Sequence, residues 1–504
     1  MMLHQLTSKL SNMSTELTLD PNDWAPIRQL GHQIIDDMVD YLASVNDRPL
    51  WQPIPAEVKE TYKQPLPQDP SDIFEVYSDF KKTVLPYATG NIHPSYFSWA
   101  MGTGTPLGAF ADLLAGMMNT NAVMGEQSAM YIDAQVINWC KEMLNFPSTA
   151  SGLLVSGASI ANVTALTIAR NAASDQMRSK GVGAWHGGLI AYCSKESHAS
   201  VTKAIEVIGV GSSQLRMIPA DDDFRINIEQ LKVQIEKDKK DGLTPFCIIG
   251  NAGTVNTGAI DPLKELYEIA RDEKIWFHID GAFGALAKLV PEYEEALKYI
   301  EKADSVAFDL HKWMYMPYDV GCFLIKDAQA HKAAFGGSAN YLLSHDRGLA
   351  AGPDSRSNYG MELSRSFRAL KVWMSLKEHG LDKYRQLIAQ NINQAHYLGD
   401  LVKATLNLEL AAEVTMNIAC FRYNPGTIAD EELNILNKEL LMQLHESGIS
   451  APSCTQIHGK YVLRACITNH RTTKAHLEEL VRKVAEIGNT LITDKVQYTQ
   501  ATIK

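Results

Sequence analysis

Ser305-Val-Ala-Phe-Asp-Leu-His-Lys-Trp313 passes abruptly from apolar to polar residues. The apolar start predicts a buried strand. Asp309, His311 and Lys312 predict a polar loop at the edge of a sheet where functional residues lie. Most lysines are solvated surface residues. A lysine that is partly buried beside other cations has a lowered pKa, and its neutral amine can then add to a carbonyl group. Lys312 is therefore a candidate for covalent bonding to an aldehyde.

A second apolar strand ends in a carboxylate upstream, in Ile275-Trp-Phe-His-Ile-Asp-Gly-Ala-Phe-Gly284. Small residues follow Asp280 and allow another molecule to approach the backbone closely. Pyridoxal 5'-phosphate (PLP) requires this pair of groups: a lysine that holds its aldehyde as an imine and a carboxylate that keeps its pyridine nitrogen protonated. The combination of Lys312 with Asp280 therefore predicts PLP as the cofactor.

The composition is that of a globular protein, with 45% hydrophobic and 21% charged residues in a chain of 504. This length suits about three domains. The formal net charge of -11 and the absence of a basic tract argue against nucleic acid or an anionic membrane as the main partner.

The seven cysteines are scattered, odd in number and never spaced as CxxC, which indicates a reducing compartment. The N-terminal residues lack the apolar core and the cleavage site of a secretion signal, and no uncharged apolar stretch reaches the length of a membrane span. We therefore expect a cytoplasmic protein, and we predict no metal site.

Residues 20–44 predict an N-terminal helix. Asp20 is the expected N-cap, Pro21 the first helical residue, and Asp23 lies near the positive end of the helix dipole. Apolar residues follow at three- and four-residue spacing and form one stripe. In an N-terminal arm such a stripe is often buried against another subunit. The proline-rich residues 48–70 predict an extended connector.

Aromatic and small residues alternate in Gly90-Asn-Ile-His-Pro-Ser-Tyr-Phe-Ser-Trp-Ala-Met-Gly-Thr-Gly-Thr105. His93, Phe97 and Trp99 could pack in a core or form the wall of a substrate pocket. No lysine or arginine lies between Lys82 and Lys141. Since burying an anion without a cationic partner is costly, a pocket built from this segment suits an apolar or aromatic side chain.

Residues 152–170 run from a strand through a small-residue turn into a helix. The N–H groups of Gly157, Ala158 and Ser159 would point outward at the helix N-terminus, where the helix dipole and the Ser159 hydroxyl favour a phosphate group. A purely structural turn is the alternative. The motif is neither GxGxxG nor a Walker A loop, so it does not indicate a nucleotide.

Strands alternate with helices from residue 189 onward, which predicts a mostly parallel sheet. Polar residues gather where these strands end, among them His198, Thr254, Asp280 and Lys312. Their shared position predicts one site. Residues 336–360 contain many turn formers and predict a mobile cover of that site.

We predict three parts: a helical N-terminal arm of residues 1–104, a large PLP-binding domain of residues 105–370, and a small C-terminal α/β domain of residues 371–504. A long amphipathic helix from about residue 361 leads into the last part.

With these motifs together, residues 20–490 resemble the PLP-dependent group II amino-acid decarboxylases, the family of aromatic-L-amino-acid decarboxylase and glutamate decarboxylase, and are most similar to the aromatic members. The resemblance implies fold type I, which is the aspartate-aminotransferase-like α/β fold, and a tight homodimer with active sites at the subunit interface. It also implies decarboxylation of an L-amino acid to the amine and carbon dioxide.

Three motif residues carry the resemblance. Lys312 in Asp-Leu-His-Lys-Trp matches the lysine that holds the cofactor, and Asp280 in His-Ile-Asp-Gly-Ala matches the partner of the pyridine nitrogen. His198 in Ser-Lys-Glu-Ser-His-Ala-Ser matches the histidine that stacks on the ring. Asp309 stands where the animal aromatic enzymes have Asn, and Ile160 stands where Glu is frequent. The resemblance also implies cofactor contacts of Ala158, Ser159, Thr254, Asp309 and His311.

The segment that begins at His93 forms the substrate wall in the aromatic members, which places Phe97, Trp99 and Met101 near the substrate. A tyrosine of a mobile loop returns a proton to the substrate in much of the family. Arg356 aligns with that tyrosine here, so the candidates for the catalytic tyrosine are Tyr341 and Tyr359.

An aromatic amino acid of the tryptophan, tyrosine or phenylalanine type is the preferred substrate. The first alternative is an acidic amino acid such as glutamate, aspartate or cysteine sulfinate, whose side-chain carboxylate Arg347 or Arg356 would bind. The second alternative is oxidative deamination to an aromatic aldehyde. The third is a scaffold protein that binds the cofactor without catalysis.

Overall fold

The computed structural model describes residues 17–174, 176–184, 187–337 and 345–502. The chain forms two compact units. The N-terminal unit comprises residues up to 48 together with residues 54–88, and the main unit comprises residues 49–53 together with residues from 89 onward.

The N-terminal unit is helical, with α1 (Ala25–Ala43), α2 (Ala56–Thr61) and α3 (Ile73–Asp79). The predicted helix start at Asp20 and Pro21 is wrong, because α1 begins at Ala25 and has its proline in the following position. Asp23 still supports this start, since its carboxylate accepts a hydrogen bond of 2.9 Å from the Ala25 N–H. No residue of α1 is buried.

The strands belong to the main unit. In chain order they are β1 (Tyr96–Phe97), β2 (Ser151–Val155), β3 (Leu189–Ser194), β4 (Leu215–Ile218), β5 (Thr244–Asn251), β6 (Trp276–Asp280), β7 (Ser305–Asp309), β8 (Gly321–Ile325), β9 (Leu408–Leu410), β10 (Ile418–Tyr423), β11 (Ala451–Ile457) and β12 (Lys460–Cys466).

The main unit also contains helices, which lie before, between and after these strands in the sequence. They are α4 (Pro106–Met118), α5 (Ser128–Met143), α6 (Ala158–Ala172), α7 (Met177–Lys180), α8 (Ala199–Val207), α9 (Ile228–Lys240), α10 (Leu263–Asp272), α11 (Leu310–Trp313), α12 (Ala328–Phe335), α13 (Ala369–Ala404), α14 (Asp430–Glu446) and α15 (Lys474–Thr502). No helix within the described ranges is both long enough and apolar enough to cross a membrane.

A seven-stranded sheet forms within the described residues, in the order β2-β8-β7-β6-β5-β3-β4. Strands β7, β6, β5, β3 and β4 run parallel, and β8 is antiparallel to both of its neighbours. The predicted mostly parallel sheet is therefore confirmed. Every residue of β3, β7 and β8 is buried, which is typical of a sheet that helices cover on both faces.

A smaller, five-stranded sheet has the order β1-β11-β12-β10-β9 in the same described part of the chain. Helix α14 packs against β11 and β12. The short strand β1 pairs in parallel with β11, and Tyr96 lies opposite Ala451. This pairing joins parts of the main unit that are far apart in the sequence.

The long helix predicted from about residue 361 begins later, at Ala369. Arg365 explains the difference, because its contacts are tertiary rather than helical. Its N–H donates to Asn121 Oδ1 at 2.8 Å, its carbonyl accepts from the Ala122 N–H at 2.9 Å, and its guanidinium donates to the Leu154 carbonyl at 2.9 Å. These bonds hold residues 361–368 in a non-helical path.

Candidate active site

The parallel strands of the large sheet end at one edge, and the site lies there. The end of β5, Asn251, is opposite Asp280 at the end of β6. A cavity of about 340 Å³ lies at this edge. Its wall includes Lys312, Asp280, His198 and Trp99, so the structure brings four of the predicted site residues into one cavity.

Lys312 lies on the short helix α11, immediately after β7, and its side chain is 21% exposed. Its Nζ lies 2.9 Å from Asp309 Oδ2, and the other oxygen of Asp309 accepts a hydrogen bond of 2.7 Å from the Ala158 N–H. The expectation that cations surround Lys312 is therefore not met, because its nearest charged partner is a buried carboxylate. Asp309 ties the lysine to the N-terminus of α6.

His311 lies on the other side of Asp309. Its Nε2 is 3.6 Å from Asp309 Oδ2, and its Nδ1 accepts a hydrogen bond of 3.2 Å from the Val320 N–H. Burial lowers the pKa of His311, which favours the neutral ring. A neutral imidazole with one accepting nitrogen keeps its hydrogen on Nε2.

Asp280 is 4% exposed, and both of its oxygens accept hydrogen bonds. The Ala282 N–H donates to Oδ1 at 3.1 Å, and Asn162 Nδ2 donates to Oδ2 at 2.9 Å. A buried carboxylate held from two sides has a fixed direction, as a group that must meet one ring atom requires.

His198 is the N-cap of α8, and its ring lines the cavity. Its Nδ1 accepts from the Ser200 N–H at 3.1 Å and lies 2.8 Å from Ser200 Oγ. Burial lowers the pKa of His198, so the neutral ring carries its hydrogen on Nε2.

The N-terminus of α6 has the exposed serine predicted for a phosphate site, but one of its predicted N–H donors already has a partner. Ser159 is exposed, but the Ala158 N–H is already bonded to Asp309. A Cβ atom on Gly157 would lie 3.2 Å from His311 Cε1, so glycine permits this close approach of the turn to α11. The turn therefore has a structural role beside any role in binding.

Thr254 is completely buried and does not line the cavity. Its hydroxyl accepts a hydrogen bond of 3.0 Å from the Ala259 N–H and lies 3.2 Å from Thr257 Oγ1. These bonds hold the turn that carries the wall residues Val255 and Asn256.

The residues of the aromatic segment, 90–105, divide into one that lines the cavity and others that pack in the core, the two roles that the sequence left open. Trp99 is 61% exposed and lines the cavity. Phe97 is completely buried in the core of the smaller sheet, and His93 is buried, with its Nδ1 accepting from the Ser95 N–H. Met101 accepts a hydrogen bond from the Tyr96 hydroxyl at 3.2 Å. Phe97 and His93 therefore pack in this chain rather than line the cavity.

The candidate tyrosines lie away from the cavity or beyond the described chain. Tyr341 falls outside the described residues. The Tyr359 hydroxyl donates to Asp354 Oδ2 at 2.9 Å, and its ring packs edge-on against His331. Tyr359 does not line the cavity.

The two arginines proposed for an acidic substrate are also absent from the cavity wall. Arg347 is exposed. Arg356 forms an ion pair with the buried Asp133, at 2.8 Å between Nε and Oδ2, although the geometry is not that of a hydrogen bond.

Arg464 is a cavity residue that the sequence analysis missed. It is 5% exposed, and its guanidinium donates to the carbonyls of Trp99 and Asn256 at 2.9 and 3.1 Å. Within the described chain no carboxylate lies at ion-pair distance from it. The available signal was an arginine inside the apolar run of β12, since a charge in a buried strand needs a partner.

The donor set of the cavity fits pyridoxal phosphate. An amine, a carboxylate and a neutral imidazole line one cavity, and the N-terminus of the 15-residue helix α6 is linked to the amine through Asp309. The volume is that of a typical small-molecule site.

Three comparisons with known proteins agree with this chemistry. A family model described as the pyridoxal-dependent decarboxylase conserved domain matches residues 55–424. Aromatic-L-amino-acid decarboxylase from Bacillus atrophaeus is 34% identical over 480 residues, which cover 94% of this chain and 98% of that protein. Phenylacetaldehyde synthase from Arabidopsis thaliana is 27% identical over 486 residues, with 94% and 98% coverage.

The fold has close matches among solved structures. The crystal structure of Oryza sativa TDC with PLP and tryptamine superposes with a TM-score of 0.87 at 24% identity, and the match covers 94% of this chain and 100% of that one. The chain belongs to the pyridoxal-dependent decarboxylases, which are carboxy-lyases of fold type I that act on amino acids with pyridoxal phosphate as cofactor.

Proposed function

We propose that the protein decarboxylates an aromatic L-amino acid to the corresponding amine. One observation carries the proposal: Lys312 and Arg464 are the only lysine and arginine in the described cavity wall. The substrate's α-carboxylate suffices to pair with this single guanidinium, so an acidic side chain would have no cationic partner. Trp99, Phe283 and Val255 offer apolar surface to an aromatic ring. The similarity to the Bacillus enzyme supports the same substrate class.

Pyridoxal phosphate, when bound, withdraws electrons from the bond that breaks. We assign Lys312 to its aldehyde and Asp280 to its pyridine nitrogen, where the ionised carboxylate would keep the nitrogen protonated. His198 would pack against the ring and fix its plane. We assign Ser159 and His311 to binding of the phosphate group. Ala158, Thr254 and Asp309 support the site through the contacts described above.

Arg464 orients the substrate in this proposal. A guanidinium fixed by two carbonyl groups can hold the α-carboxylate in one direction, which would orient the bond to be broken for reaction. The departing group leaves as carbon dioxide.

A proton must then reach the substrate's Cα. His198 is our first candidate, because its hydrogen is on Nε2 and its ring lines the cavity. Tyr341 and Tyr359 are the alternatives. Tyr359 would first have to release Asp354, to which its hydroxyl is bonded.

We also infer a homodimer with active sites at the subunit interface, and a cytoplasmic location. No residue of α1 is buried, although its apolar side chains form one stripe. A second copy of the chain would cover this stripe. All seven cysteines lie in the described ranges, and all are free thiols, which supports a reducing compartment.

A substrate panel tests the function. The holoenzyme is incubated with tryptophan, tyrosine, phenylalanine, glutamate, aspartate and cysteine sulfinate, and the products are identified. Amines from the aromatic substrates are expected. Carbon dioxide released only from the acidic substrates would overturn the aromatic assignment, and none from any amino acid would favour a scaffold.

Arg464→Gln sharpens this test. Because the substitution removes one charge-assisted contact with the carboxylate, we expect KM for the aromatic substrate to rise by on the order of tenfold to a hundredfold. Arg347→Gln, at an exposed position, is the control and should leave KM unchanged. If Arg347→Gln instead abolishes turnover of an acidic substrate, the acidic alternative is correct.

Aromatic aldehyde formation is the second candidate, favoured by the similarity to phenylacetaldehyde synthase. The same panel distinguishes it, since this route would consume dioxygen and release peroxide, ammonia and carbon dioxide together with the aldehyde in place of the amine.

A further inference from the structure

Asn162 is a completely buried residue of α6 whose amide contacts groups from other elements. Its Nδ2 lies 2.9 Å from Asp280 Oδ2 and 3.3 Å from Ser200 Oγ. Its Oδ1 lies 3.0 Å from His278 Nε2. Since Ser200 is bonded to His198, this one amide lies between the two groups that we assign to the pyridine ring.

One assignment of hydrogens satisfies all these contacts. Asp280 can only accept, so Asn162 Nδ2 donates one hydrogen to Asp280 and the other to the Ser200 hydroxyl. The Ser200 hydroxyl then donates to His198 Nδ1, which leaves the imidazole hydrogen on Nε2. Asn162 Oδ1 accepts from His278 Nε2.

His278 fixes the orientation of the amide from behind. Its Nδ1 accepts from Ser305 Oγ at 2.8 Å, and Ser305 Oγ accepts from Trp276 Nε1 at 2.8 Å. Burial lowers the pKa of His278 to about 3, so the ring is neutral and has a single N–H. An Asn162 amide turned by half a rotation would direct its oxygen at the Asp280 carboxylate and its NH₂ at the His278 N–H.

We propose that Asn162 is a positioning residue for the decarboxylation: its amide directs the Asp280 carboxylate at the pyridine nitrogen and orients the Ser200 hydroxyl toward His198, which supports the tautomer that the Ser200 N–H selects. The inference rests on the proposed contact between Asp280 and that nitrogen. It adds a single residue, outside the cavity wall, that contacts Asp280 directly and His198 through the Ser200 hydroxyl.

The physical reason is the burial of Asp280. A carboxylate that is 4% exposed needs its hydrogen bonds to remain both ionised and fixed in direction. Without Asn162, the Ala282 N–H is the remaining hydrogen-bond donor to this carboxylate within the described residues, and the side chain can rotate about that bond.

The first test compares two cofactors that differ at one ring atom: pyridoxal phosphate, and its analogue in which CH replaces the ring nitrogen. Asn162→Ala should raise Kd for pyridoxal phosphate by about tenfold, which is the effect of losing a hydrogen bond to a charged group, and Kd for the analogue by less than about twofold. Absorbance or fluorescence titration of the full-length apoprotein measures both constants.

Asn437→Ala is the matched control. Asn437 is equally buried, and its side chain bonds to the backbone of Tyr423 and Leu433 beside the smaller sheet. Its loss should reduce stability and leave both dissociation constants unchanged.

A second variant changes the charge and keeps the shape. Asn162→Asp retains the acceptor for His278 but places a carboxylate against Asp280. Two facing carboxylates bind a shared proton, so pyridoxal phosphate should bind this variant about tenfold more tightly at pH 6 than at pH 8, relative to wild type. Asn437→Asp should show no such pH dependence.

Equal losses of affinity for both cofactors in Asn162→Ala, or a pH response of Asn162→Asp equal to wild type, would overturn the inference. Asp280→Ala separates this failure from a failure of the proposed function. If Asp280→Ala discriminates between the cofactors and Asn162→Ala does not, the positioning role alone is wrong. If neither variant discriminates, the contact of Asp280 with the ring nitrogen is wrong as well.

Discussion

His331 is completely buried, and both of its ring nitrogens have partners. Ser151 Oγ lies 2.8 Å from Nδ1, and the Tyr359 carbonyl lies 2.7 Å from Nε2. Burial lowers the pKa of His331 to about 4, below the value of about 6.5 for an unfolded chain. The folded state therefore binds fewer protons between these values, and stability falls as the pH drops from 6.5 toward 4.

We expect His331→Gln to flatten this pH dependence. One histidine of this kind removes up to about 1.4 kcal/mol of unfolding free energy per pH unit over that range. Urea unfolding at pH 6.5 and pH 5 measures the difference. His32→Gln, at an exposed position, should keep the wild-type dependence, and an unchanged dependence in His331→Gln would contradict the assignment.

Single residues could be predicted where a short local pattern reveals them. Lys312, Asp280 and His198 each follow or end an apolar strand, so the sequence alone placed them at a common edge. Arg464 and Asn162 depend on neighbours far along the chain. Asn162 faces a carboxylate 118 residues away, and no local pattern distinguishes it from an ordinary helical asparagine.

The loops after β5 and β6 pack so closely that Gly284 admits no side chain. A Cβ atom at this position would lie 2.1 Å from the Ala252 carbonyl oxygen. Gly253, which is next to Ala252, has a φ of 94° and lines the cavity. Because the obstacle is backbone, the two strand ends would have to move apart to make room.

We expect Gly284→Ala to lower the unfolding free energy by about 2 to 3 kcal/mol and to weaken cofactor binding, because the displaced loops carry the cavity wall. Urea unfolding and cofactor titration measure the two effects. Gly116→Ala is the control, since this helical glycine has open space around it and its substitution should add about 0.5 to 1 kcal/mol. A wild-type midpoint for Gly284→Ala would contradict the close packing.

Helices and strands were predictable from periodicity, and their ends were not. Alternating apolar and polar segments identify an element because its buried face sets the period. The start of α13 was misplaced because tertiary bonds decide it, whereas α1 starts at Ala25, whose N–H has the local partner Asp23. In α13 the contacts of Arg365 replace helical hydrogen bonds that the sequence pattern alone would allow.

At the scale of the whole molecule, the apolar face of helix α1 is left uncovered by the part of the chain that the structure describes. Its apolar side chains share one face, and none of its residues is buried. Ile27 is 39% exposed and Val39 is 47% exposed. Since most helical stability in proteins comes from burying such a face, the homodimer that we propose accounts for it.

Ile27→Glu tests this assembly. Burying an unpaired carboxylate in both copies should weaken dimerisation by on the order of a hundredfold or more, while glutamate in the first helical turn suits the dipole of α1. Gln33→Glu adds the same charge to the opposite face and is the control. Sedimentation velocity over a range of concentrations measures both, and an unweakened dimer of Ile27→Glu would contradict the proposed interface.

At the scale of the molecule, the alternation of strands and helices was sufficient for the fold class. It was not sufficient for the smaller sheet, because β1 has only two residues and a strand of that length has no period. The boundaries at residues 104 and 370 stay predictions.

The pairing of Tyr96 with Ala451 has a consequence for biosynthesis. The ribosome must synthesise the chain through residue 451 before these two residues can meet. A prematurely terminated product that retains Lys312 and Asp280 would still leave its aromatic segment uncovered, where chaperones and proteases bind. Because Arg464 also lines the cavity, the wall of the vitamin B6 site is complete only after residue 464 has been synthesised.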